Sequence, residues 1–156
     1  MTSSFIHPAL ILLIGALILP FIRGPLRKPY LFLVPLLTMA AVVSNSTLSG
    51  EFATYQFMDW HLVFGRVDRL STIFVLIMGL MAMIGTLYGL HVDNAKEHIA
   101  AWLYVAGSLG TIYSGDYLSL FLFWEMMAFA STFLIWFRRD KGSLAAGYRY
   151  LIIHTI

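Results

Sequence analysis

Apolar residues fill long blocks of this chain, and polar residues gather in short clusters between them. The blocks run from Phe5 to Ile22, Tyr30 to Leu48, Leu70 to Leu90, Ile99 to Ser114 and Tyr117 to Phe137. About 20 apolar residues, at about 1.5 Å of helix rise each, cross a hydrocarbon core of roughly 30 Å. The pattern therefore predicts five transmembrane helices, the fourth of them short. A sixth helix starts at Ser143 and reaches Ile156 with only about fourteen residues, where about twenty are needed to span. No polar flank follows His154, so the chain reads as cut off in mid-helix, as a fragment or as a piece completed by another polypeptide. The predicted fold is an all-α integral membrane protein, a polytopic bundle of five full spans and a partial sixth, forming one membrane domain over residues 1–156.

Glu51 to Arg69 breaks the pattern. Phe52, Tyr55, Phe57 and Trp60 mix there with charges, and Tyr55-Gln-Phe-Met and His61-Leu-Val-Phe alternate weakly. An amphipathic hairpin on the membrane surface, between the second and third helices, fits this better than another span, because aromatic rings favour the headgroup level. Gly65 is the expected point where the chain turns back toward the bilayer. Pro8 falls in a first helical turn, where its missing N–H costs nothing, and His7 beside it reads as interfacial. Pro35 is expected to bend or start the second helix. Gly85-Thr-Leu-Tyr-Gly89 is a GxxxG, and Gly107, Ser108 and Gly110 allow tight packing of the fourth helix. His91 to His98 is a polar connection whose His, Asp and Glu spacing follows no metal cluster; it reads as a solvated loop.

Composition agrees with a membrane solvent: 60% of the 156 residues are apolar and 12% charged, against about 25% charged in soluble domains. The absence of cysteine removes disulfides, thiolate metal sites and iron–sulfur clusters together. The net charge of +2 comes without a basic stripe, so nucleic acid is not an expected partner. Nothing positive precedes Phe5 and no cleavage site follows the first block, which is read as a retained helix and not a signal peptide. Arg23, Arg27, Lys28, Lys96, Arg138, Arg139 and Lys141 fall on one side of the predicted bundle, and Arg66 and Arg69 on the other. By the positive-inside rule this places the N-terminus outside and the Arg138 to Lys141 loop in the cytoplasm, in a multi-pass protein of the inner membrane.

Within the fifth block stands one acid, Glu125, about 3 Å from the span centre. A carboxylate at that depth costs about 2.5–3.5 kcal/mol on insertion scales, and such residues carry protons or ions by default. The bland alternative is a protonated glutamic acid that hydrogen-bonds a neighbouring helix. His154 lies near the middle of the sixth helix, where its pKa suits a proton relay. Arg149, closer to the start of that helix, either snorkels to the interface or reaches an acid inside. Asp68, between Arg66 and Arg69 at the mouth of the third span, reads as an interfacial ion pair or a relay member. Ser119, Ser131 and Thr132 either bond backbone carbonyls or line a wet path. No nucleophile–base pair or metal cluster stands out, so the chain is not read as catalytic alone, and no cofactor is expected to be held by it.

Val67-Asp68-Arg69-Leu70-Ser71 after an aromatic surface segment, Asp116-Tyr-Leu-Ser-Leu-Phe-Leu-Phe-Trp-Glu125, and Tyr148-Arg-Tyr-Leu-Ile-Ile-His154 together resemble a known family. It is the antiporter-like membrane subunits shared by respiratory complex I (NADH-quinone oxidoreductase), energy-converting membrane-bound hydrogenases and Mrp sodium/proton antiporters. The tyrosine-rich sixth helix looks closest to the branch that holds the D-type Mrp proteins and the hydrogenases. The resemblance covers nearly the whole chain but only the N-terminal part of the family's helices. It implies that Glu125 pairs with a lysine on a seventh helix and passes protons toward a central chain of lysines and histidines. The implied function is the N-terminal part of a proton- or cation-translocating subunit of a multisubunit membrane complex. Its partners would be the lipid bilayer, other membrane subunits, the missing C-terminal helices, and protons or sodium. The alternative is a structural subunit that packs in such a complex without carrying ions.

Overall fold

The computed structural model describes residues 5–137 and 141–155. The Arg138 to Asp140 part of the predicted cytoplasmic loop and Ile156 of the predicted sixth span lie outside these residues, as do the first four. Helices make up most of the described chain: α1 (Pro8–Ile18), α2 (Arg27–Asn45), α3 (Arg69–Tyr88), α4 (Ala95–Tyr113), α5 (Tyr117–Trp136) and α6 (Lys141–Thr155). Short 3-10 turns extend α1 over Leu19–Phe21, precede α2 over Gly24–Leu26 and extend α3 over Gly89–His91. Three helical stretches, Gly24–Asn45, Arg69–His91 and Tyr117–Trp136, are long and apolar enough to cross a membrane, and Pro8–Phe21 is a shorter apolar helix. Leu17, Phe21, Leu70, Met81 and Tyr88 stand among many large apolar side chains on the outside of the bundle. Contiguous apolar surface on this scale suits lipid as solvent. The protein is a multi-pass membrane protein.

α4 is the centre of the packing. It lies against α1, α3 and α5, while α2 joins α1 and α3, and α6 packs on α5. Its buried side chains Trp102, Ala106, Leu109 and Tyr113 form one core with Leu12, Ala16 and Leu19 of α1, Leu31, Val34 and Val42 of α2, and Val75 of α3. Polar side chains tie the helices at three levels, as expected where no water is available to backbone groups. Tyr30 donates to the Gly15 carbonyl at 3.0 Å, the Trp102 indole donates to Thr86 Oγ1 at 3.1 Å, and Asn45 donates to the Ile6 carbonyl at 2.8 Å. Small residues admit the close approaches. A Cβ on Gly110 would lie 2.2 Å from the Phe123 ring, and one on Gly107 would lie 3.0 Å from the Phe123 carbonyl oxygen. The GxxxG behaves otherwise, since a Cβ on Gly85 would meet open space and one on Gly89 only the His98 ring.

Between α2 and α3 the chain forms an antiparallel pair, β1 (Gly50–Phe57) and β2 (Trp60–Val67), in the register Gly50 with Val67 through Phe57 with Trp60. The turn is at Met58 and Asp59, with Met58 at φ 53°, and Gly65 lies inside β2. The expectation that Gly65 turns the chain is thus corrected. Its missing side chain makes room for the Phe5 ring, which a Cβ would meet at 2.6 Å. β2 carries the alternation, with Val63, Gly65 and Val67 buried, whereas β1 is exposed apart from half-buried Phe52.

The pair caps one end of the bundle. The Gly115 N–H donates to the Val63 carbonyl at 2.8 Å, and the Val63 N–H donates to Asp116 Oδ2 at 2.7 Å. His7 is buried there. Its Nδ1 accepts from the Ala9 N–H at 3.2 Å, which leaves the proton on Nε2 to donate to the Phe64 carbonyl at 2.9 Å.

Candidate functional site

α5 starts where Asp116 caps it. The Asp116 carboxylate accepts from the Ser119 N–H at 2.9 Å and the Ser119 hydroxyl at 2.6 Å, satisfying donors that a helix N-terminus otherwise leaves open. Burial works against the charged form of Asp116. The bonds from the Ser119 hydroxyl and from the Val63, Ser119 and Leu118 N–H groups outweigh it and hold the carboxyl below its usual range. From this fixed end the helix runs to Trp136, which puts Glu125 about 13 Å along the axis from Asp116 and about 2 Å from the helix centre.

Two faces of α5 are taken by neighbours. Phe123 and Met127 press on the glycines of α4, and the Ser108 hydroxyl donates to Met127 Sδ at 3.1 Å. On the other side α6 runs antiparallel, with Trp136 against Gly147 and Tyr148 and Ser131 bonded to the Tyr150 hydroxyl at 3.0 Å. Trp124 stacks on His154 with ring centroids 5.7 Å apart. This register brings His154 to the depth of Glu125. The imidazole lies between Trp124 and Tyr150, the latter at 5.5 Å, and its Nε2 is buried with no hydrogen-bond partner. Glu125 belongs to neither packed face. It is half-buried, and among the described residues its carboxyl has no hydrogen bond or ion pair.

The other two candidates lie elsewhere. Arg149 is exposed, and its Nε donates to the Ala145 carbonyl at 3.3 Å, back toward the start of α6. It sits about 10 Å from the level of Glu125, near Ser131 and Thr132. Asp68 is at the hairpin end, where it caps α3 in a reciprocal box with Ser71: the Ser71 N–H donates to Asp68 Oδ1 at 2.7 Å, and Ser71 Oγ accepts from the Asp68 N–H at 2.8 Å. The Ser71 N–H bond is the main cause of a lowered Asp68 pKa, which burial opposes and Arg66 only assists. The ion pair expected with the flanking arginines is not formed among the described residues; the helix N-terminus supplies the donors instead. Ser119 serves the Asp116 cap, while Ser131 and Thr132 donate to the Ala128 carbonyl. No group of three or more metal-binding side chains occurs among the described residues.

Known proteins share both sequence and shape with this chain. The Na(+)/H(+) antiporter subunit A1 of Staphylococcus aureus is 26% identical over 170 aligned positions, covering 98% of this chain and 21% of the relative. Its counterpart in Staphylococcus haemolyticus is 28% identical over the same shares. The chain is a relative of the antiporter-like membrane subunits. Its fold also matches a chain in the structure of the membrane-bound sulfane sulfur reductase, an archaeal respiratory membrane complex. That match has a TM-score of 0.77 at 19% identity, over 93% of this chain and 32% of the other. No family model matches. The chain thus spans about a fifth of the length of the curated relatives it matches. These relatives are of the A type, so the narrower likeness to the D-type and hydrogenase branch rests on the tyrosine-rich α6 alone.

Sequence reasoning missed the Asp116 clamp on the hairpin and the Trp124–His154–Tyr150 stack. The first had a local signal only for its helix cap, Asp followed three residues later by Ser at a helix start, and none for its reach to Val63, 53 residues away. The second had none, because the α5–α6 register is a tertiary property.

Proposed function

We propose that this chain is part of a proton- or cation-translocating antiporter-like subunit, with Glu125 as its buried proton site. One observation carries the reading: a mid-helix carboxyl that is half-buried yet has no partner among the described residues. Packing glue would use such an acid to bond a neighbouring helix, and here the neighbouring faces are filled without it. A group that must alternately gain and lose a proton needs a side left open to water or to a mobile charge. His154, at the same depth with an unpartnered Nε2, is the candidate next acceptor. In this reading Arg149 stays at the interface and Asp68 is structural.

The same reading makes α1, α2, α3, α4 and α5 five membrane passes in one domain with α6 beside them. The hairpin then lies at the outer surface with the N-terminus. Arg23, Arg27, Lys28 and Lys96 lie at the other end of the bundle from Arg66 and Arg69, which supports a cytoplasmic Arg138 to Lys141 loop by the positive-inside rule. The partners are lipid, further membrane subunits and a lysine from a later helix facing Glu125; the cargo is the proton or sodium.

The test is ion transport in inverted vesicles from cells making the intact complex, with Glu125→Gln compared with wild type. Complex assembly is checked in parallel, and infrared difference spectra follow the carboxyl. Assembly should survive, transport should fall to background, and a carboxyl band that comes and goes with pH should vanish. Full transport by the assembled Gln variant would leave Glu125 a packing residue.

A further inference from the structure

At the end of the bundle opposite the hairpin, the connection before α2 lies against the one before α4. Arg27 joins them by donating from Nη1 to the Asp93 carbonyl. Its other nitrogen, Nη2, is buried and has no hydrogen-bond partner. A guanidinium presents its donors as a planar fork, suited to two oxygens of one anion. Arg27 therefore spends one arm on the backbone and keeps the other unspent. Beside it is a cleft of about 150 Å³ lined by Gly24, Arg27, Lys28, Leu31, Leu90, Val92 and Asp93. That is room enough for a phosphate group.

Two cations face this cleft against one acid, Asp93. Glu97, the nearest other acid on α4, is engaged by the Asn94 amide at 2.9 Å. A buried donor without an acceptor costs about 1–3 kcal/mol, so the cleft favours an occupant that brings one. The depth of the cleft names the source. Gly24 opens one candidate span and Leu90 lies in the last turn of another, which sets the cleft at headgroup level, while Leu31, Leu90 and Val92 give it an apolar wall.

We propose that this cleft holds the phosphate of an anionic phospholipid, gripped by Arg27 and Lys28, with the glycerol end of its chains against half-buried Leu90. Basic pockets between membrane helices on the cytoplasmic side suit such headgroups.

The full chain is taken from vesicles of equal phosphatidylglycerol and phosphatidylcholine, and retained lipid is counted by native mass spectrometry. Phosphatidylglycerol should be enriched about tenfold or more, since each cation near an anionic surface accounts for about a fivefold preference. Lys28→Gln should cut the enrichment about fivefold, whereas Arg23→Gln, outside the cleft, should leave it unchanged. Arg27→Gln should abolish it, and because that change also removes the bond to Asp93, Lys28→Gln is the deciding variant. Excess inorganic phosphate separates a lipid site from a free-anion site: it should neither displace the lipid nor raise the melting temperature of lipid-free protein. Equal retention of both lipids, no effect of Lys28→Gln, or displacement by phosphate would overturn the proposal.

Discussion

Replacing Asp116 by alanine should loosen the hairpin end far more than the same change at Asp68, although both are aspartates capping a membrane helix. At Asp68 the carboxylate serves its own helix, so Asp68→Ala removes one cap, worth about 1 kcal/mol. At Asp116 the carboxylate caps α5 and also accepts the N–H of Val63 at 2.7 Å, on a residue only 4% exposed. Asp116→Ala therefore adds to the cap the cost of a buried backbone donor left unpaired, about 1–3 kcal/mol, for a total of about 2–4 kcal/mol. Asp116→Asn keeps one acceptor oxygen and should fall between. The measurement is unfolding in mixed micelles for the three variants, with amide hydrogen exchange resolved at Val63. Exchange there should quicken in Asp116→Ala and stay as in wild type in Asp68→Ala. Equal destabilisation by the two alanines, or an unmoved Val63 amide, would refute the clamp.

Two further outcomes follow from the same structure. The Asp116 carboxyl titrates below its ordinary range when folded, so its contribution is complete above the unfolded value of about 3.9 and is lost as pH falls through the lower folded value. Protection of the β2 amides, taken relative to the intrinsic exchange rate at each pH, should accordingly be flat from neutral pH to about pH 4 and fall below it, and a loss of protection beginning near neutrality would contradict this. Alanine substitutions at two glycines should have opposite effects. In Gly110→Ala the new methyl would lie 2.2 Å from the Phe123 ring, which should cost about 1–3 kcal/mol as α4 and α5 are pushed apart. Gly85→Ala enters open space and should be neutral or stabilise by up to about 1 kcal/mol; unfolding midpoints in the reverse order would show that the helix packing is not as described.

Much of the candidate site was legible because the bilayer imposes a simple rule. A long apolar block with a single acid at its middle announces both a helix and its exceptional residue, so α5 and Glu125 could be read directly. The hairpin was legible from aromatic residues mixed with charges, though its turn was not. Gly65 looks like a turn residue, but it is small because Phe5 lies over it, and that ring comes from the far end of the chain. His7 and Asp116 were illegible for the same reason: their partners Phe64 and Val63 are 57 and 53 residues away. Asp68 was read through its charged neighbours, when three residues ahead Ser71 was the one that completed a cap. The depth shared by His154 and Glu125 follows from an antiparallel register that only packing fixes.

The stitching of β2 to Asp116 also bears on biogenesis. The Val63 N–H and carbonyl point away from β1 and find their acceptor and donor only at Asp116 and Gly115. During synthesis at roughly 5–20 residues per second, the outer edge of β2 must wait about 3–10 s for that turn to leave the ribosome. For that interval an open strand edge stands beside α1 and α2 while α3 and α4 are being made. The arrival of Gly115 and Asp116 at the start of α5 therefore closes that edge before α6 has been made.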